Sequence, residues 1–125
     1  MPKCFFDSSV LVEYFKGSQR AAKLIDEGDG VITLLNLLEV TYIISRDFSP
    51  EHGKAATKLL YEFLAMPTRN DVEDAVEVRL QNRKLDLSYA DALGYAYAKR
   101  RNILFLTSDR AFKGMPNVEL VDFAG

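Results

Sequence analysis

The run Lys3 to Phe6 is largely apolar and ends at Asp7-Ser8-Ser9, after which Val10, Leu11, Tyr14 and Phe15 recur at helical spacing as far as Gly17. That pattern predicts a short strand turning directly into a helix. Ser18 is placed to cap a second helix through Glu27, Gly28-Asp29-Gly30 reads as the turn that ends it, and Val31 to Thr33 predicts another short strand. Leu34 to Ser45 is apolar on nearly every side. It is too long for an ordinary strand and free of Gly and Pro, so it reads as a buried helix. Ser49-Pro50-Glu51 opens a further helix with proline at its first position, continued by Ala55, Leu59, Leu60 and Phe63. A weak third strand falls at Met66 to Thr68. Asn70-Asp71 begins a helix through Arg83 whose Val72, Ala75, Val76 and Leu80 make one face, and Ser88 begins another that ends near Arg101. Ile103 to Thr107 is the clearest strand, and Val118 to Val121 is the last, after the Gly114-Met115-Pro116-Asn117 turn.

Strands alternating with helices predict a parallel sheet with right-handed crossovers, and hence a three-layer α/β/α sandwich around a central parallel sheet of four or five strands. With 125 residues, 48% hydrophobic and 27% charged, the chain fits one globular domain over residues 1–125. A domain of that length buries roughly two-thirds of its unfolded surface, so the core needs no metal staple and any metal would serve function. The single cysteine, in Cys4-Phe5-Phe6, has no partner for an intramolecular disulfide and reads as a buried thiol, which fits a reducing cytoplasm. No apolar stretch reaches the roughly 18 residues that span a bilayer, and the amino terminus lacks a basic region followed by a long apolar one. A cytoplasmic location without membrane contact is therefore expected. The net charge of −2 argues against coating nucleic acid by basic charge alone.

In a sheet of this kind ligands gather at the carboxyl ends of the strands, and Asp7 and Asp109 both stand just after a predicted strand. The helix from Ser88 should run antiparallel to the strands and return Asp91 to the same edge. Glu39 lies two turns into the helix after the second strand, with Leu35, Leu38, Tyr42 and Ile43 at helical offsets that should carry it to an apolar face. Each has a local explanation too: Asp7 as a helix cap, Asp91 as the far end of a Ser88 capping box, Asp109 as a turn residue, Glu39 as half of an ion pair. Four carboxylates converging on one edge would repel one another, and a divalent cation relieves that repulsion. Oxygen donors without a His or Cys cluster suit Mg²⁺ or Mn²⁺ better than Zn²⁺. The only histidine, His52, lies far from these segments and reads as solvated. Lys99-Arg100-Arg101 sits where a helix carboxyl end favours positive charge, so its reading is structural.

These segments together resemble the PIN-domain family, especially its VapC-type toxin members. Phe5-Phe6-Asp7-Ser8-Ser9-Val10-Leu11 resembles the opening strand and acidic turn, and Leu37-Leu38-Glu39-Val40 the segment with the helical glutamate. Ser88-Tyr89-Ala90-Asp91-Ala92-Leu93 resembles the third acidic motif, and Leu106-Thr107-Ser108-Asp109-Arg110-Ala111-Phe112 the fourth. The resemblance implies an Mg²⁺- or Mn²⁺-dependent endoribonuclease with Asp7, Glu39, Asp91 and Asp109 as metal-binding catalytic residues. It places Ser9 and Thr107 as supporting hydroxyls and implies products with a 5′-phosphate and a 3′-hydroxyl. It also implies a homodimer and, for a toxin, a cognate antitoxin whose segment covers the active site. Arg110 and Lys113, next to the fourth motif, are the candidates for contact with the RNA backbone. The crowded apolar positions Leu34, Leu37, Tyr42, Tyr61 and Phe63 exceed what one sheet face absorbs, which leaves some for partners.

Three other readings compete: an RNA-processing nuclease of the same fold without an antitoxin, a non-catalytic scaffold that binds RNA or protein, and a receiver-like signalling module. The last fits poorly, because it needs a phosphate-accepting aspartate after a central strand and a lysine after a later one, where this chain carries Asp109.

Overall fold

The structure is a computed structural model and describes residues 2–124. Strand β1 (Cys4–Phe6) runs into helix α1 (Ser8–Phe15), followed by α2 (Gln19–Glu27), β2 (Gly30–Val31), α3 (Leu34–Asp47) and α4 (Pro50–Leu60). Then come α5 (Arg69–Gln81), α6 (Tyr89–Arg101), β3 (Leu104–Thr107) and β4 (Val118–Leu120). The four strands form one parallel sheet in the order β2-β1-β3-β4, flanked by six helices in the expected α/β/α arrangement. Alternate strand residues point to opposite faces. Accordingly Cys4, Phe6 and Leu106 join Val10, Leu11, Ile25, Leu37, Val40 and Ile44 in one apolar cluster, while Phe5 and Phe105 join Tyr95, Tyr97, Ala98 and Phe112 in another. Helix α6 lies so close to the sheet that a side chain at Gly94 would collide with the Phe5 ring.

Most helix starts follow the capping logic of the sequence. The hydroxyls of Ser18 and Ser49 accept from the amides of Ala21 and His52, and Ser88 and Asp91 form a reciprocal capping box. Helix α5 begins earlier than Asn70, because Thr68 is the cap and Asp71 returns a 2.7 Å bond to its amide. Strand β2 is Gly30–Val31 rather than Val31–Thr33, since Thr33 is spent as the cap of α3. The expected strand at Met66 to Thr68 does not form. Pairing occurs instead as a single bridge between Ile32 and Leu64, and Pro67, with no amide to donate, cannot extend it.

Two helices turn differently from expectation. Helix α3 is amphipathic rather than buried all round: Leu37, Val40 and Ile44 enter the core, while Leu34, Leu38 and Tyr42 form an exposed stripe. On α5, Val72, Val76 and Leu80 face outward and only Ala75 of the predicted face is buried, against Ala92 and Ala96 of α6. What draws α5 to α6 is ionic as well as apolar. Arg101 grips the fully buried Asp71 through two bonds of 2.8 and 2.9 Å, and Arg100 reaches Asp74 at 2.9 Å. Two of the three residues in the basic run, Arg100 and Arg101, thus have structural partners in the carboxylates of α5.

Burial pushes the Asp71 carboxyl up, but the Arg101 guanidinium and the Thr68 amide and hydroxyl outweigh it and hold the group below its ordinary range. Its contribution to stability is thus present above the unfolded-state value near 4 and is lost as pH falls below that. Arg101→Met keeps bulk but strands the buried carboxylate. Urea unfolding at pH 7 should show a loss of roughly 3 to 5 kcal/mol. A loss below about 1 kcal/mol, the size of an exposed pair, would show that the pair does not hold α5 to α6.

Candidate active site

Strands β1 and β3 are neighbours in parallel register, with Phe6 opposite Leu106, so the residues that follow them leave the same edge side by side. These are Asp7 and Thr107. Asp7 occupies the cap position of α1 but makes no side-chain cap bond there. Its Oδ2 instead accepts from Thr107 Oγ1 at 2.6 Å and Ser9 Oγ at 3.1 Å. The Thr107 hydroxyl in turn accepts from the Asp109 amide at 3.0 Å, and the Ser9 hydroxyl from the Ser108 amide at 3.0 Å. Both hydroxyls named from the sequence thus fix the Asp7 rotamer and tie the turn after β3 to α1.

Asp7 is 2% exposed, and its Oδ1 is buried with no hydrogen-bond partner. It lines a cavity of about 290 Å³ together with Ser9, Glu39, Asp91 and Asp109. All four carboxylates read from the sequence therefore face one space. Asp91 uses Oδ2 in its capping box and Asp109 uses Oδ1 on the Ala111 amide, so each serves the local role foreseen for it and keeps one oxygen out of that role. Glu39 corrects its expectation: it is half-buried rather than enclosed, because Leu38 and Tyr42 beside it face outward. Arg110 and Lys113 are exposed on the turn after Asp109 and do not line the cavity. His52 bonds Ser49 at the start of α4, away from it.

Two kinds of residue escaped the motif reading. Glu13, on α1, is a fifth carboxylate on the cavity wall, and its place between Val12 and Tyr14 gives no sign of that. Ser8 and Asn36 are buried and bonded to each other. The signal for Asn36 was a polar residue inside an apolar run, three positions before Glu39 and so near the same helix face.

The molecule holds two wholly buried aspartates of opposite character. Asp71 has its arginine. Asp7 has no ion pair among the described residues, and burial, followed by the charge of Asp91, pushes its carboxyl up to about 7 against the lowering effect of Thr107, Ser9 and the Ser8 amide. The space beside it is chemically suited to a hard divalent cation: the donors are carboxylate and hydroxyl oxygens, and one of them is buried and unpartnered. Among the described residues no three acidic, His or Cys side chains stand close enough together to hold a metal ion by themselves.

The PIN domain family profile matches residues 4–118. Among solved structures, a Mycobacterium tuberculosis VapC20, described as a sarcin-ricin loop cleaving toxin, superposes with a TM-score of 0.75 at 19% identity, over 94% of this chain and 98% of that one. A VapBC2 from Rickettsia felis, bound to a promoter DNA fragment, gives 0.73 at 18% identity over 95% and 98%. A toxin-antitoxin complex from Klebsiella pneumoniae gives 0.71 at 20% identity over 93% and 95%. At such identities the likeness is one of fold. No curated protein matches by sequence.

The Asp7 shift has a sign that can be measured without any activity. In metal-free protein the folded chain keeps a proton on Asp7 up to about pH 7, whereas the unfolded chain releases it near the ordinary value of 3.8. The stability this group contributes is full below about pH 4 and is lost as pH rises through 7. Asp7→Asn imitates the neutral carboxyl. In EDTA its stability should match the unaltered chain near pH 4 and exceed it by on the order of 2 to 4 kcal/mol above pH 7. A difference constant from pH 4 to 8 would show that Asp7 is ionised throughout.

Proposed function

The chain belongs to the PIN-domain family, matched over residues 4–118, and on that premise we propose that it is a metal-dependent endoribonuclease, a single nuclease domain acting as the toxin of a toxin-antitoxin pair. One observation carries this reading: a buried carboxylate with an unpartnered oxygen, Asp7, on a cavity it shares with Glu39, Asp91 and Asp109. Those four residues would hold Mg²⁺ or Mn²⁺. The ion, when bound, would supply positive charge against the phosphodiester and ease deprotonation of water.

The protein's own contribution is positional. Thr107 and Ser9 anchor one oxygen of Asp7 and leave the other without a partner, and Ser88 anchors one oxygen of Asp91 at the head of α6. The Ala111 amide does the same for Asp109. Three carboxylates are thereby fixed by bonds from the scaffold before substrate arrives, which lowers the reorganisation left for the reaction. Arg110 and Lys113, exposed just beyond Asp109, are suited to meet phosphates flanking the cleaved bond.

Exposed surfaces support the partners. The stripe Leu34, Leu38 and Tyr42 runs along α3 beside the cavity-lining Glu39 and Ile43, the place for an antitoxin segment that also covers the site. A hollow of about 570 Å³ between α5 and α6, walled by Leu35, Val72, Val76, Leu80, Tyr89 and Leu93, supports a second copy of the chain. The buried Cys4 thiol is pushed up to about 11 by burial and by the charges of Asp29 and Glu119, so it stays protonated and unreactive. No helix among the described residues is long and apolar enough to cross a membrane.

The test is cleavage of a mixed RNA pool by the purified chain with Mg²⁺ or Mn²⁺. EDTA should abolish it, and Asp7→Asn should lower the rate by roughly 100-fold or more. Cleavage by the variant and by the EDTA sample as fast as by the unaltered chain with metal would place the nuclease outside this site, and no cleavage under any condition would favour the binding scaffold.

A further inference from the structure

Asn36 is 0% exposed in the first turn of α3. Its Oδ1 accepts from both the amide and the hydroxyl of Thr33, at 3.0 and 2.9 Å, which completes the start of the helix. Its Nδ2 does something the cap does not need: it donates to Ser8 Oγ at 3.0 Å. Ser8 is buried and directly follows Asp7, and its amide is among the groups that stabilise the Asp7 carboxylate. One amide side chain therefore joins the head of α3 to the head of α1.

The choice of residue is informative. Asp or Glu at this position would close the same capping box. Either would also bury another negative charge against Ser8, the chain neighbour of Asp7. Asparagine caps with its oxygen and bridges with its nitrogen at no charge. Val10 and Leu11 of α1 share one apolar cluster with Leu37 and Val40 of α3, and apolar contact is non-directional. The Asn36–Ser8 bond is the directional element between the two helices, and Glu39 follows Asn36 by three residues on the same helix.

We propose that Asn36 is a positioning residue for the acidic cavity, fixing through Ser8 the separation of Glu39 on α3 from Asp7 at the head of α1 so that both serve one cation. This rests on the metal-binding reading above. Small displacements of a site are costly to its function, and the groups that orient metal-binding side chains commonly contribute tenfold or more to affinity.

Mn²⁺ binding, measured by calorimetry on the full chain well below its melting temperature, separates this role from plain capping. Ser8→Ala and Asn36→Ala should each raise the Mn²⁺ dissociation constant roughly tenfold. The double variant should be no worse than the weaker single, because both changes delete the same bond. Thr33→Val, which loses a cap contact and leaves the bridge to Ser8 in place, should melt earlier and bind Mn²⁺ as before. If Asn36→Ala folds poorly, Ser8→Ala carries the test, since it leaves the cap bonds to Thr33 intact. Unchanged Mn²⁺ affinity in Ser8→Ala, or additive losses in the double variant, would overturn the positioning role while the metal site stands. No Mn²⁺ binding by the unaltered chain would overturn the metal-site reading itself, and the positioning role with it.

Discussion

A carboxylate at the end of a central strand, shut away from water and given no cation by the protein, is the constraint around which this molecule is arranged. An ionised carboxyl in such surroundings is unfavourable by several kcal/mol unless something compensates it. Asp71 shows how the same chain solves the problem when the aim is stability: Arg101 lies against both oxygens and the Tyr97 ring covers the guanidinium. At Asp7 the scaffold does half of that. Thr107 and Ser9 satisfy one oxygen, and the other is buried without a hydrogen-bond partner, in a residue that lines a cavity with further acids. A fold that neutralises one buried aspartate with an arginine and leaves the other unpaired is the contrast on which the proposed cation site rests.

The parallel sheet makes that arrangement possible. Strands β1 and β3 end level with each other, so Asp7 and the Thr107–Asp109 turn meet without long loops. Helix α6, running back against them, delivers Asp91 from the opposite direction, and the crossover through α3 adds Glu39 from the side. Residues far apart in sequence thus share one edge because the topology allows little else.

Much of this was legible in the chain. The strand-helix alternation, the helices capped by Ser18, Ser49 and Ser88, and the convergence of four acids followed from periodicity, from capping chemistry and from a family pattern whose order and spacing are specific. What was not legible depends on which side of a helix finds a neighbour. Leu38 and Tyr42 have the composition of core residues and lie outside it, which also left Glu39 less enclosed than its neighbours suggested. Val72, Val76 and Leu80 have ideal spacing for a buried face, but the small residues Ala75, Ala92 and Ala96 and the Arg101–Asp71 pair decide how α5 sits. Pro67 removed a strand that hydropathy alone allowed. Glu13 and the Asn36–Ser8 bond belong to tertiary contacts that no local pattern announces.

The most direct test of the central claim is where a cation settles. Crystals grown with Mn²⁺ should give an anomalous-scattering peak roughly 2.0 to 2.3 Å from Asp7 Oδ1, with another carboxylate of the cavity and waters completing its shell. A well-ordered Asp7 whose Oδ1 is bonded to a protein donor, with manganese only at surface acids such as Glu73 or Glu77, would contradict the account.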